Sequence, residues 1–420
     1  MLVAENFING QFKASKAYLD SYEPGNGQVW AQIPDSDPED VDQAVQAAKT
    51  AFKSWKKLSV NQRAQYLIKA ADLLESRLDE FAQAESRDQG KPVGLAKRMD
   101  IPRAVLNLKA FATGQCHLLE TSNELVEAGV INYTKRSPVG VAGLIAPWNL
   151  PLYLLTFKIG PALMAGCTVV CKPSEMTTVT AWMLCKIFQE VGLPNGVLNL
   201  VCGLGSKAGQ ALVEHPDVKV ISFTGSTKVG KHIAQVAGPM MKRLSLELGG
   251  KNPALVFKDA RLDQAVPTLI RAAFLNQGEI CLCTSRIYVQ EEIYEEFLKE
   301  FVASAQKLRF GDPNDPEVFM GALNSKVHLD KVVYYAKLAT EEGGTIRCGY
   351  GLNPMDLDAK IKDGYYFPPT VVTGLTNDSR CMKEEIFGPI GNLTQFCQIL
   401  TLENRARGNR KTLNWLKMVS

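Results

Sequence analysis

Several things are scarce in this sequence, and each shortage narrows what the chain can be. Histidine is rare, with four in 420 residues at 117, 215, 232 and 328, far apart from one another. Cys281 and Cys283 form a CxC pair, but no second pair or histidine cluster accompanies them at ligand spacing, so a structural metal is not expected. Charge is nearly balanced at +3 and never gathers into a run of five or six of one sign. That argues against a nucleic-acid partner held by phosphate neutralisation. Long apolar stretches are missing too; VGVAGLIAPW at 139–148 falls well short of a membrane span. The opening MLVAENFINGQF has no basic region followed by an apolar one, so no secretory signal is expected. Internal repeats and low-complexity segments are absent.

What remains has the composition of a soluble globular enzyme, 46% hydrophobic and 22% charged. Its 420 residues predict two or three domains. Cysteine is not scarce. The thiols at 167, 171, 185 and 202 lie in apolar patterns and read as reduced core residues, predicting a reducing compartment and hence the cytoplasm.

Asp37-Pro38 reads as a helix start, Asp as N-cap and Pro in the first turn. Val41, Ala44, Val45, Ala48, Phe52 and Trp55 then recur at three- and four-residue spacing. Further helices are predicted over 61–84 and 92–111, so residues 1–119 read as a helical region of surface helices with one buried face. A hairpin excursion, a candidate oligomer contact, is expected at 120–138. From Val139 apolar strands alternate with helices: strands at 139–147, 167–173, 197–205 and 218–226, helices at 178–192, 206–215 and 226–238, and further strand at 243–257. That rhythm predicts a doubly wound parallel sheet over 139–250, an α/β nucleotide-binding architecture with ligands at the carboxyl ends of its strands. A second α/β segment is expected over 251–390, with helices at 264–277 and 291–308.

Three motifs carry chemistry. FLNQGEICLCTSR (274–286) sets Cys281 after a glycine, where a thiolate can attack a carbonyl carbon and backbone amides can receive the oxyanion. LELGGKNPALVF (246–257) offers Glu247 as a base, and IAPWNLP (145–151) offers the Asn149 side-chain amide. Each has a plain packing alternative: a buried thiol, a strand-end carboxylate, a turn former. Their joint occurrence favours catalysis. FTGSTKVG (223–230) puts Gly225 and Ser226 on a strand-to-helix turn suited to a phosphate. GLG at 203–205 does not extend to a full dinucleotide fingerprint, since position 208 is Ala. In CKPSE, Lys172 and Glu175 end a strand. A carboxylate there would accept ribose hydroxyls and repel a 2′-phosphate, favouring NAD over NADP.

IAPWNLP, KPSE, FTGSTKVG, LELGGKNP, NQGEIC and EEIFGP occur in that order, and with them the chain resembles the NAD(P)-dependent aldehyde dehydrogenase superfamily. The resemblance implies a Rossmann-type NAD-binding domain, an α/β catalytic domain and a small oligomerisation hairpin. It further implies that Cys281 forms a thioester with an aldehyde substrate, Asn149 and the Cys281 N–H hold the oxyanion, and Glu247 activates water. The NAD cleft it implies comprises Ile145, Pro147, Trp148, Lys172, Ser174, Glu175, Gly205, Phe223, Gly225, Ser226, Gly230 and Leu248, with Glu385 and Phe387 at the nicotinamide end. The wording around Cys281 and Arg103 resembles a branch acting on carboxylated semialdehydes such as 2-aminomuconic semialdehyde, in the kynurenine route of tryptophan catabolism. Arg103 would pair with the substrate carboxylate, although a surface helix charge is the simpler reading of it.

After EEIFGP the wording departs from the family, and 391–420 reads as a separate tail. It carries five Lys or Arg against Glu403, a net +4 within a total of +3. The expectation is a divergent or truncated C-terminal segment. The alternative function it raises is a non-catalytic dehydrogenase-like protein that binds NAD or a full-length partner.

Overall fold

The runs VAGLI (Val141–Ile145) and TVVCK (Thr168–Lys172) are buried at every position. Strands with no polar face need cover on both sides, the condition of a parallel sheet. In the structure, a computed structural model describing residues 1–352, 355 and 357–396, the two pair in parallel at the middle of a seven-stranded sheet. The order is Arg243–Leu248, Val218–Gly225, Val141–Ile145, Thr168–Lys172, Leu198–Leu200, Asn6–Ile8 and Gln11–Lys13. The first five run parallel and the last two join antiparallel. Strand order reverses at Val141–Ile145, so a ligand crevice is expected at its carboxyl end. All of this lies in the first of two compact units, which ends at Gly249.

The first helix starts as expected. Asp37 accepts from the Asp40 amide, Asp40 accepts from the Asp37 amide, and Pro38 opens the helix Pro38–Trp55. Ala51 completes its buried face, while Phe52 is only half-buried. Trp55 is buried, which is worth roughly 2–3 kcal/mol for an aromatic ring.

Two expectations for this region need correction. Residues 1–34 are not helical: they form five strands, Leu2–Val3, Asn6–Ile8, Gln11–Lys13, Tyr18–Glu23 and Gln28–Pro34. Asn9-Gly10 turns the second strand into the third, both residues at positive φ (55° and 77°), the backbone a two-residue hairpin needs. The block expected at 61–84 is two helices, Val60–Ser76 and Leu78–Gln89, broken at Arg77. The second of these is no simple surface helix, for it buries Glu85, Asp88 and Gln89. A π-helical turn, Ala96–Asp100, leads into the helix Ile101–Gly114. The excursion contains the strands Ser122–Leu125 and Val130–Tyr133, antiparallel and exposed at all eight positions.

The strand expected over 243–257 is interrupted at Gly249-Gly250, and its second half, Asn252–Val256, opens the second unit. There it heads a five-stranded sheet in the order Asn252–Val256, Thr284–Gln290, Ile390–Phe396, Thr370–Thr373 and Thr345–Cys348. Only the last pairing is antiparallel. The tail boundary at 391 is therefore corrected, because Ile390–Phe396 occupies the central position of this sheet. Buried Asn392 disguises the strand, and its side-chain NH2 donates to the Cys381 carbonyl at 3.1 Å. The rest of the tail, 397–420, lies outside the described residues. The helix Lys326–Glu341, not foreseen, packs in a core with Ile386 and Ile390.

Candidate active site

In the first unit, the expected site residues gather where the parallel strands end. Strand Val141–Ile145 runs into Pro147, Trp148 and Asn149, with Asn149 only 4% exposed. Helix Pro151–Met164 follows at once. The next strand ends at buried Lys172, whose Nζ donates to the Pro173 carbonyl at 2.8 Å and to Glu175 at 3.3 Å. Burial pulls the Lys172 ammonium below its ordinary range, and Glu175 opposes that. Strand Val218–Gly225 ends in the helix Thr227–Ala237, capped by Ser226, whose hydroxyl oxygen accepts from the Val229 amide at 3.3 Å. That oxygen still has a proton to donate.

Two glycines here let neighbouring side chains pack close. A Cβ on Gly225 would stand 2.4 Å from the Phe223 ring, and one on Gly230 would stand 2.4 Å from Leu248. The second contact lets the helix lie close on the edge strand. Gly205 starts a separate π-helical turn, Gly205–Gly209, after the strand Leu198–Leu200.

Glu247 is exposed on the edge strand, in register with Thr224. Lys158, a residue the sequence reading passed over, lies nearby. Its Nζ donates to Thr224 Oγ1 at 2.6 Å and to Ser222 Oγ at 3.3 Å. Burial pushes Lys158 down to about 8, with the Glu247 charge acting the other way. Both side chains line a cavity of about 1240 Å³ whose walls do not include Asn149. Arg103 is exposed on its helix, 5.3 Å from the Tyr153 ring centroid, with Nε donating to Asn107 Oδ1 at 3.3 Å. Asn107 in turn donates to the Tyr153 carbonyl at 3.0 Å, tying Arg103 to the helix that begins beside Asn149.

In the second unit, three successive residues, Asn276, Gln277 and Gly278, adopt left-handed backbone at φ 52°, 58° and 71°. Gln277 Oε1 accepts from the Gly321 amide at 3.2 Å, and buried Glu279 accepts from the Asn324 amide at 3.1 Å. Strain of this kind clusters at functional sites. Cys281 follows in a turn closed by the Cys283 amide on the Ile280 carbonyl at 2.9 Å. Asn252 Nδ2 donates to the carbonyls of Cys281 at 2.6 Å and Cys283 at 3.2 Å. The two thiols are thereby separated in character. Both cysteines are partly exposed, but desolvation pushes the Cys283 thiol up to about 12 and its Sγ donates to the Leu275 carbonyl at 3.9 Å, while Cys281 adjoins exposed Leu282.

Glu385 accepts from the Gly250 amide at 3.2 Å. Phe387 is left-handed at φ 65°, and its carbonyl accepts from His328 Nε2 at 2.7 Å. Burial pushes His328 down to about 4, so the ring is neutral and can be this donor. Among the described residues, no group of three or more His, Cys, Asp or Glu could hold a metal ion. Nor is any described helix long and apolar enough to cross a membrane.

A family model described as "Aldehyde dehydrogenase family" matches residues 12–405. The chain belongs to the aldehyde dehydrogenase family. This aldehyde dehydrogenase is 52% identical over 396 residues to the 2-aminomuconic semialdehyde dehydrogenase of Homo sapiens, covering 94% of this chain and 81% of the relative. Among solved structures, it superposes on an aldehyde dehydrogenase from Burkholderia cenocepacia with a TM-score of 0.91 and 40% identity, covering 95% of this chain and 81% of the other. An NAD+ complex of aldehyde dehydrogenase from Bacillus cereus matches with a TM-score of 0.90 and 36% identity, covering 97% and 82%. The family match runs past 391, in keeping with the strand found there.

Proposed function

We propose that this aldehyde dehydrogenase oxidises a carboxylated semialdehyde, of the 2-aminomuconic kind, to its acid with NAD as cofactor. The observation that carries the reading is the turn at Cys281. Cys281 stands there on a backbone pinned by Asn252, while the neighbouring Cys283 thiol turns to the Leu275 carbonyl and is pushed up by desolvation.

The residues at the strand ends suit a dinucleotide. The helix Thr227–Ala237 opens at Ser226, where free N–H groups favour phosphate, and Glu175 offers a carboxylate for ribose hydroxyls. In this reading Lys172 and Glu175 hold the adenosine ribose, Ser226 the pyrophosphate, and Glu385 and Phe387 the nicotinamide end. Ile145, Pro147, Trp148, Ser174, Gly205, Phe223 and Leu248 complete the cleft. Bound NAD supplies the hydride acceptor.

The Cys281 sulfur attacks the aldehyde carbon, and the oxyanion is received by the Asn149 amide and the Cys281 N–H. Once the carbon is oxidised, Glu247 takes a proton from the water that hydrolyses the thioester. Arg103 recognises the substrate carboxylate, a role supported by its tie through Asn107 to Tyr153. The exposed hairpin serves subunit contact, and the free buried thiols fit a reducing compartment, the cytoplasm.

The test is NADH formation from succinic semialdehyde, a carboxylated probe, beside hexanal. Cys281→Ala should abolish it while NAD binding persists, and retained turnover would sink the nucleophile assignment. Arg103→Ala should raise KM for succinic semialdehyde alone; an unchanged KM would remove the substrate-class argument.

A further inference from the structure

A set of charges in the first unit lies where no water reaches: Glu85, Asp88, Lys91 and Asp100, all within 1% of full burial. Lys91 Nζ is 2.5 Å from Asp100 Oδ1 and 3.1 Å from the backbone carbonyl oxygen of Asn149. A buried ammonium persists only where fixed acceptors replace its hydration. Here one of those acceptors is the main chain of the residue read above as the oxyanion donor.

The other side of the same turn is held as well. Helix Pro151–Met164 begins at Leu150, which provides no side-chain cap. The Leu152 amide is accepted instead by Glu85 Oε1 at 3.1 Å, from another helix. Glu85 is itself steadied by the Thr180 hydroxyl at 2.6 Å. Only Leu150 and Pro151 separate the two clamps, and proline's ring removes one more backbone freedom. The Asn149 backbone is thus gripped through its carbonyl by a cation and, three residues on, through an amide by a carboxyl group.

We propose that Lys91, braced by Asp100, is a positioning residue for Asn149, setting the direction of its side-chain amide toward the developing oxyanion. This rests on the reading of Asn149 as oxyanion donor. Asp100 Oδ1 takes up the Lys91 ammonium at 2.5 Å with both side chains fully buried, so this carboxylate fixes where that cation points. The Ala96–Asp100 segment is a π-helical turn, a feature common at functional sites.

The experiment is a mutant cycle on the full chain. Lys91→Met with Asp100→Asn removes both charges together, so neither is left orphaned. NADH formation from hexanal is measured in the wild type, this pair, Asn149→Ala, and the triple variant. The pair should lower kcat about 10- to 100-fold with KM for NAD little changed, since one oxyanion donor is worth about 100-fold or more. Asn149→Ala should then cost little further in the pair's background. Equal losses from Asn149→Ala in both backgrounds would overturn the proposal.

A crystal structure of the pair provides a readout independent of turnover. The Asn149 amide should move by about 1 Å, a displacement large enough to matter for catalysis; an unmoved amide overturns the proposal. Asp100→Asn alone keeps the lysine and serves for the same cycle and structure if the pair does not fold. Should Asn149→Ala by itself leave kcat intact, the oxyanion reading fails, and the crystal structure still decides the positioning.

Discussion

Gly278 rests against the carbonyl of Gly388, so closely that a Cβ at 278 would stand 2.4 Å from that oxygen. The contact joins the NQGEIC segment to the EIFGP segment, 110 positions apart in the chain. It also explains why the backbone before Cys281 turns left-handed, because Gly278 itself sits at φ 71°. Gly278→Ala should therefore destabilise the second unit by about 2 kcal/mol or more, from backbone strain and the clash together. Urea unfolding monitored on both variants checks this; an unchanged midpoint contradicts it.

Alkylation should separate the neighbouring thiols. Desolvation pushes the Cys283 thiol up to about 12, so little of it is ionised at pH 8. Iodoacetamide at that pH should label Cys281 and spare Cys283 in the folded protein, as peptide mass spectrometry would read. Cys283→Ala should keep NADH formation within about threefold, since a buried thiol behaves as a small apolar group. Preferential labelling of Cys283 would reverse the assignment.

The buried carboxyls predict a pH dependence of stability. Burial first, and then Asp100, hold Glu85 up to about 7 against an ordinary 4.5, and burial holds Asp88 at about 7 against 3.8. From about pH 4.5 to 7 the native state keeps protons that the unfolded chain has released. Stability from these groups is therefore present at the acid end and is lost as pH rises through 7. Glu85→Gln keeps an oxygen to accept from the Leu152 amide and offers an NH2 to the Thr180 hydroxyl oxygen, but cannot ionise. Its Tm should fall less than that of the wild type between pH 5 and 8, a difference on the order of 1–3 kcal/mol. Parallel melting curves would show otherwise if Glu85 titrates normally.

Cofactor choice should turn on Glu175. With a neutral Gln there, the repulsion of a 2′-phosphate is removed while hydroxyl contacts are partly kept. The ratio of kcat/KM for NAD over NADP should fall about tenfold, the scale of one charge contact near the surface. An unaltered ratio places the discrimination elsewhere.

Legibility in the sequence differed by element. Asp37-Pro38 announced its helix because capping is local, and VAGLI announced a doubly covered strand because burial of every residue leaves no other pattern. Asn9-Gly10 was a legible hairpin signal that the helical reading of the N-terminal region overlooked. Leu78–Gln89 misled, since its Glu85 and Asp88 look like surface charges until Thr180, Val179 and Ser21 are brought to them. Ile390–Phe396 hid behind Gly391 and Asn392, whose burial depends on a carbonyl supplied by Cys381.

The sequence alone determined the order of the motifs, the family they point to and the five parallel strands of the central sheet, because spacing along the chain records which side each residue turns. Only the tertiary structure decided that the Cys283 thiol turns to the Leu275 carbonyl beside Cys281, and that Lys91 reaches the carbonyl of Asn149. Those outcomes depend on desolvation and on partners 58 residues away in the case of Lys91, and neither is written in the local pattern.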